Sequence, residues 1–141
     1  MARPNWSLYP TYVIGRNSSL EAPSNEKILG FIETAGISRR VVGRVDGRIV
    51  LVGWAAFTGL HLSLSKIVIL VDGAPRAEVH RFFDRSDIAA HFSRVDFVQS
   101  GWEASVPLSG LRPGEHNLTV EVFAQTGESN RLRHVELRVI E

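Results

Sequence analysis

The chain has 141 residues, a formal net charge of +1 and no cysteine. With 44% hydrophobic and 22% charged residues, it has the composition of a folded globular domain, and its length suits one domain with a substantial core. The balanced charge supplies no overall field to recruit nucleic acid or a membrane surface. The lack of cysteine excludes disulfides and thiolate metal sites.

The N-terminus differs from the rest of the chain. Residues 1–26 combine an aromatic segment, with Trp6, Tyr9 and Tyr12 among prolines, and a polar stretch rich in Ser, Asn and Pro. The sequence has no apolar run long enough to span a bilayer and begins without the apolar core of a signal peptide, so we expect a cytoplasmic product if the chain is full length. We predict an arm and linker over residues 1–26 and a folded domain over residues 27–141.

Short β-rich runs follow from residue 27. The runs 41–45 and 48–55 are separated by Asp46-Gly47, which predicts a β-hairpin because both turn residues tolerate positive φ. Apolar side chains occupy both alternating sets of positions in the second run, so that strand is predicted to be central and covered on both faces, or on one face plus an edge. Its Trp54 is predicted to be a core anchor with its indole N–H bonded to the backbone, and the alternative is a sugar-stacking platform.

The middle of the chain contains a second apolar strand, over residues 65–71. The Asp72-Gly73 dipeptide predicts a hairpin that joins it to residues 76–81. Residues 58–61 are predicted to form the loop that carries the chain across the fold. The one credible helix lies within 84–92, where Ser86 is the expected cap.

From Gly101 onward, apolar and polar residues alternate in three further strands, around residues 102–106, 117–124 and 134–139. One dry and one wet face per strand is typical of antiparallel sheets packed over a shared core. Seven or eight short strands with one short helix therefore predict an all-β fold, an immunoglobulin-like antiparallel β-sandwich. A small closed barrel is the alternative.

Five short motifs occur in a fixed order over residues 30–141. They are Gly53-Trp54-Ala55, Val71-Asp72-Gly73, Arg85-Ser86-Asp87-Ile88-Ala89, Ser100-Gly101-Trp102 and Pro113-Gly114-Glu115-His116. Together they resemble the small immunoglobulin-like β-sandwich module appended to many bacterial glycosyltransferases and surface proteins. Ser86 stands where that module usually has Pro, Trp102 where it often has Phe, and Asp84 where Gly is common. The resemblance implies a non-catalytic accessory domain.

Three residues are candidates for ligand binding: Trp102, Arg85 and Asp87. Trp102 opens an alternating strand, where it either faces the core with Ala104 or offers a surface for stacking. Arg85 and Asp87 could bind a polar ligand. The interpretation we favour is that the guanidinium fork of Arg85 ties the short helix to a strand or turn.

The remaining polar residues show no pattern typical of catalysis. The five histidines lack the spacing of zinc ligands, the aspartates lack that of a calcium loop, and the sequence has no nucleophile elbow. A basic cluster is interpreted as a solvated rim and not as a nucleic-acid surface. It comprises Arg39, Arg40, Arg44 and Arg48, with Arg131 and Arg133 as further members.

We therefore predict a non-enzymatic accessory or interaction module without cofactor or metal, associated with carbohydrate-active proteins. Its expected partner is a protein or a glycan, and neither nucleic acid nor a membrane is an expected partner. A carbohydrate-binding module is the alternative. Residues 1–14 are expected to pack as an arm on this domain or on a second copy, which would give a homo-oligomer that covers a sheet edge.

Overall fold

Two β-sheets face each other across an apolar core in the computed structural model, which describes residues 27–59 and 62–141. The predicted N-terminal arm and part of the predicted 58–61 loop lie outside these residues. The described elements comprise one α-helix, one 3₁₀ turn at Val95–Phe97 and nine strands. These are β1 (Ile28–Ile32), β2 (Arg40–Arg44), β3 (Arg48–Phe57), β4 (Leu64–Val71), β5 (Ala74–Val79), α1 (Ser86–Phe92), β6 (Gly101–Pro107), β7 (Gly114–Ala124), β8 (Ser129–Arg131) and β9 (Val135–Ile140).

The predicted all-β sandwich is confirmed. One sheet has the order β1-β3-β6, and the other has the order β2-β9-β7-β4-β5, with β8 also paired to β7. The antiparallel expectation holds for every described pair of strands except β2 and β9, which are parallel. The short β8 follows a turn at Gly127, which has a φ of 97°, and was not anticipated as a separate strand.

The predicted hairpin at Asp46-Gly47 is wrong, although the turn is present. Asp46 has a φ of 59°, and the Gly47 N–H donates to the Arg44 carbonyl at 2.9 Å. However, β2 pairs with β9 in one sheet, whereas β3 pairs with β1 and β6 in the other. The turn residues specify a reversal of the chain, but long-range pairing decides which strand becomes the neighbour. Here the turn carries the chain between the two sheets.

The hairpin predicted at Asp72-Gly73 is confirmed. Asp72 and Gly73 have φ values of 51° and 85°, so both occupy the left-handed region that a tight hairpin turn requires. The flanking strands β4 and β5 pair antiparallel through Val71 and Ala74. Strand β5 is then an edge strand of the larger sheet, and β2 lies at the opposite edge.

Strand β3 lies at the centre of the smaller sheet, as predicted, but only its second half is covered on both faces. Val50 and Val52 remain 49% and 39% exposed on the outer face. Further along, α1 and the 3₁₀ turn pack over the same face, where Trp54 forms a small outer core with Ile88 and Phe97. The continuous apolar run thus meets two different environments along one strand.

Gly53 allows the smaller sheet to pack closely at this point. A Cβ added there would lie against the Phe31 carbonyl oxygen and 2.8 Å from the Trp102 ring. Trp102 therefore fits beneath β3 because residue 53 has no side chain. The two tryptophans lie on opposite faces of this sheet, with Trp102 in the core between the sheets and Trp54 under α1.

Candidate functional site

A polar cluster joins α1 to the smaller sheet through Arg85. This residue immediately precedes α1, and Glu33 immediately follows β1. Arg85 Nη1 and Nη2 donate to the two Glu33 carboxylate oxygens at 3.1 and 3.0 Å. Its Nε and Nη2 donate to the two Asp87 carboxylate oxygens at 3.0 and 2.9 Å. One guanidinium therefore holds two carboxylates in bidentate geometry.

The three charged groups of this cluster are largely buried, so each must be stabilised by its partners in place of water. The side chains of Arg85, Glu33 and Asp87 are only 11%, 21% and 8% exposed. Burial raises the pKa of Glu33 because it disfavours the charged carboxylate, and the hydrogen bond from Arg85 opposes that rise. Burial also disfavours the charge on Arg85, but the hydrogen bonds to Asp87 and Glu33 outweigh it and raise the pKa of the guanidinium.

The structure brings Arg85 and Asp87 together, as the sequence suggested, and adds Glu33, which the sequence did not single out. The fork ties the helix to the end of a strand, which is the arrangement favoured above over ligand binding. The only sequence signal for Glu33 was an acidic residue at the end of an apolar strand. The predicted cap was wrong, because Ser86 is the first residue of the helix and makes no capping side-chain bond.

Both central tryptophans are fully buried. Trp102 lies between the sheets at 0% exposure, together with Ala104, so neither face of its indole is open to a ligand. Trp54 is also 0% exposed, and its ring centroid lies 5.7 Å from that of Phe92 on α1. The expected hydrogen bond from the Trp54 indole is absent: within the described part of the chain, neither indole N–H has an acceptor.

A cavity of about 220 Å³ opens between the end of β3 and the loops after β5 and α1. Its lining includes the half-buried Phe82, the exposed Gln99 and the buried Ser100. The Gln99 amide donates to Asp84 at 3.0 Å, while the Ser100 hydroxyl is buried without a partner among the described residues. A ring beside side-chain amide and hydroxyl groups is the combination that a small polar ligand needs.

Another polar arrangement lies at the tip of the β4–β5 hairpin. The two ring nitrogens of His116 lie 2.6 Å from an Asp72 carboxylate oxygen and 2.7 Å from the Arg112 carbonyl. The Asn117 N–H donates to the other Asp72 oxygen at 2.9 Å. The Asp72 hydrogen bond is the main reason that the pKa of His116 is raised, and the bond from His116 is the main reason that the pKa of Asp72 is lowered.

The basic residues predicted as one cluster separate into two groups. In the first group, each guanidinium donates to a local acceptor. Arg40 donates to the Glu136 carboxylate at 3.2 Å, and Arg44 donates to the Glu141 carbonyl at 3.3 Å. Arg48 donates to the Ser105 hydroxyl at 2.9 Å. The other three members of the predicted cluster, Arg39, Arg131 and Arg133, line a shallow cleft together with His134, which was not part of the prediction. Arg131 and Arg133 are exposed there, and Arg39 is half-buried.

In the portions of the chain that the structure covers, His, Asp and Glu side chains form no group of three suited to a metal ion. His61 lies outside the described residues. Across those same portions, no helix has the length and apolarity needed to cross a membrane.

The two packed sheets define the class: this is an all-β sandwich of the immunoglobulin and fibronectin type III kind. Among solved structures, the chain is similar to the fibronectin(III)-like modules of CbhA from Clostridium thermocellum, with 13% identity and a TM-score of 0.52. That match covers 82% of this chain and 48% of the other, so the chain spans about half its length. At this identity the likeness concerns the fold alone.

Two further structures are more distant. One comes from a structural study of T cell specificity and activation by the bacterial superantigen toxic shock syndrome toxin-1. It is 10% identical to this chain, with a TM-score of 0.43, and the match covers 72% of this chain and 93% of that one. The other is murine CRIg, with 11% identity, a TM-score of 0.38 and coverage of 73% and 93%. No protein-family model matches the sequence, and the comparison with curated proteins found no match.

Proposed function

We propose that the chain is a non-catalytic accessory module that acts by binding another protein, in association with carbohydrate-active proteins such as glycosyltransferases. The observation that carries this proposal is that the motif residues build the sandwich itself. Trp54 and Trp102 are buried in its two cores, and Arg85 binds Glu33 and Asp87. Because these motif residues are buried or paired within the fold, they specify the scaffold, and contacts with a partner would be made by other residues on its surface.

The association with glycosyltransferases is supported by the five motifs that occur in register along the sequence. The fold supports only the proposal that the chain is a β-sandwich module, because immunoglobulin-like and fibronectin-like modules serve many proteins as appended domains. The two observations are independent, since the motifs were read from the residues and the sheet pairing comes from the structure.

The proposal is tested by co-expressing the full chain with the protein encoded beside it or with the remainder of its own polypeptide. We expect a stoichiometric complex by size-exclusion chromatography with light scattering. The purified chain alone should not turn over nucleotide sugars or nitrophenyl glycosides. Turnover that co-purifies with the chain through successive columns would contradict the non-catalytic role, and failure of the two proteins to associate would contradict the interaction role.

A carbohydrate-binding module is the second candidate, and the 220 Å³ cavity favours it. Phe82 supplies a ring on which a sugar can pack, and Gln99 supplies an amide that can bond a hydroxyl. Under this alternative, isothermal titration with neutral oligosaccharides should show saturable binding that Phe82→Ala abolishes. Phe83→Ala is the matched control, because Phe83 is 48% exposed and does not line the cavity. The absence of binding to any neutral oligosaccharide would remove this candidate.

A further inference from the structure

The parallel pairing of β2 and β9 creates a cleft of about 590 Å³ at the end where both strands begin. Arg40 of β2 lies opposite Glu136 of β9, and the Glu136 N–H donates to the Arg39 carbonyl at 2.9 Å. Residues just before each strand therefore come side by side. Arg39 borders the cleft from the β2 side, and Arg133 and His134 border it from the β9 side.

Positive charge in this cleft exceeds negative charge. The three guanidinium groups of Arg39, Arg131 and Arg133 share one carboxylate, that of Glu121, which lies 3.6 Å from Arg131 and accepts a hydrogen bond from Ser129. The side chains of Arg39 and Arg133 make no ion pair or hydrogen bond with any described residue. The cleft therefore carries net positive charge, which attracts an anionic ligand.

The backbone also holds Arg39 in an unusual conformation. Its φ of 55° lies in the left-handed region, which costs a non-glycine residue energy and persists only where the surroundings impose it. The Arg39 N–H donates to the Gly36 carbonyl at 3.0 Å, and its own carbonyl accepts from Glu136. This Arg side chain is thus presented from a fixed main chain and not from a free loop.

The lining bears on which anion the cleft can hold. A guanidinium fork matches a carboxylate or a phosphate in bidentate geometry, so the fork alone does not separate a peptide from a nucleic acid. The residues that line the cleft include no phenyl or indole ring on which a sugar or a nucleobase could stack. We propose that the cleft of Arg39, Arg131 and Arg133 binds a carboxylate-rich peptide segment of a protein partner. The inference rests on the proposed interaction role and assigns the surface and the partner chemistry.

The test is fluorescence anisotropy of labelled hexaglutamate with the full chain, with hexaglutamine as the neutral probe. We expect saturable, salt-sensitive binding of hexaglutamate only. The double variant R39Q/R133Q should weaken it by at least about tenfold, the equivalent of losing one charge-assisted contact. The matched control R44Q/R48Q removes the same charge where each Arg has a local partner, and it should change the affinity by less than about twofold.

Three outcomes would overturn the inference: hexaglutamate fails to bind, both double variants weaken binding equally, or oligogalacturonate or single-stranded oligonucleotide binds more tightly than hexaglutamate. Circular dichroism of both double variants confirms that they fold alike. If the protein encoded beside this chain forms a complex with the wild-type chain and equally with the R39Q/R133Q variant, the interaction role stands and the assignment to this cleft fails.

Discussion

Arg85 donates from both terminal nitrogens to the carboxylate of Glu33, at 3.1 and 3.0 Å, and so joins the start of α1 to the end of β1. The same guanidinium holds Asp87 in the first turn of the helix. The short helix is thereby fastened over the outer face of the smaller sheet. That placement in turn buries Trp54 beneath Phe92 and Ile88.

Arg85→Ala should destabilise the fold strongly, because it leaves Glu33 and Asp87 buried without their shared cation. We expect a loss of about 3 kcal/mol in the free energy of unfolding, measured by denaturant titration. Asp87→Ala should destabilise in the same direction. Arg40→Ala is the control: its pair with Glu136 is roughly half exposed, and the loss should stay below about 1 kcal/mol. Equal losses for Arg85→Ala and Arg40→Ala would show that the buried ion pairs of Arg85 contribute no more to the free energy of unfolding than an exposed pair does.

Trp54→Ala should remove the centre of the outer core between β3 and α1. Truncation of a large buried aromatic residue costs about 3–5 kcal/mol, and chemical unfolding monitored by circular dichroism measures it. Val50→Ala, on the exposed face of the same strand, should change stability by about 0.5 kcal/mol or less. A loss below about 1 kcal/mol for Trp54→Ala would contradict its role as an anchor.

The pair His116–Asp72 should make stability depend on pH. The pKa of His116 is raised in the folded state, so its contribution is complete below the unfolded value of about 6.5 and is lost as the pH rises through the raised pKa. The pKa of Asp72 is lowered, so its contribution is present above about 4 and is lost as the pH falls through the lowered pKa. The pair should therefore stabilise most between about pH 4 and 6.5.

Unfolding titrations at mildly acidic and mildly alkaline pH test this dependence. The wild-type chain should lose stability toward alkaline pH, and His116→Asn should reduce that loss. Asp72→Asn should reduce it as well, because it removes the carboxylate charge that favours the protonated imidazole and raises the pKa of His116. Arg76 opposes the charge on His116 through repulsion and is left unchanged in both variants. An unchanged pH profile in His116→Asn would rule out the pair as its source.

Deletion of residues 1–15 should change the association or the stability of the chain. Among the described strands, β1 pairs only with β3 and is an edge of the smaller sheet. The edge of β1 away from β3 pairs with no described strand, so a further strand or an aromatic arm could cover its backbone groups. We expect the truncated chain to lose oligomeric mass by light scattering or to melt at a lower temperature. A truncation that preserves both values would show that the segment is a tail without a docking role.

Local pattern determined the character and the approximate position of most elements, although β8 was not anticipated. The alternation in β6, β7 and β9, the apolar run of β4 and the turn at Asp72-Gly73 were each predicted from neighbouring residues. Such features depend on side-chain period and on backbone φ, which a short segment carries within itself. The same alternation allowed Trp102 to face the core with Ala104, but only the packing of the two sheets showed that it is buried there.

Tertiary structure decided which strands became neighbours and which polar side chains came together. The Asp46-Gly47 turn looks the same in sequence whether it closes a hairpin or crosses between sheets, and only the competition among distant strands placed β2 beside β9. That parallel pairing brought Arg39 to Arg133, which lie far apart in sequence, and the same packing brought Glu33 to Arg85. Both the polar fork and the basic cleft are long-range arrangements. The sequence contains their residues, but their proximity arises from the way the two sheets bury their shared apolar faces.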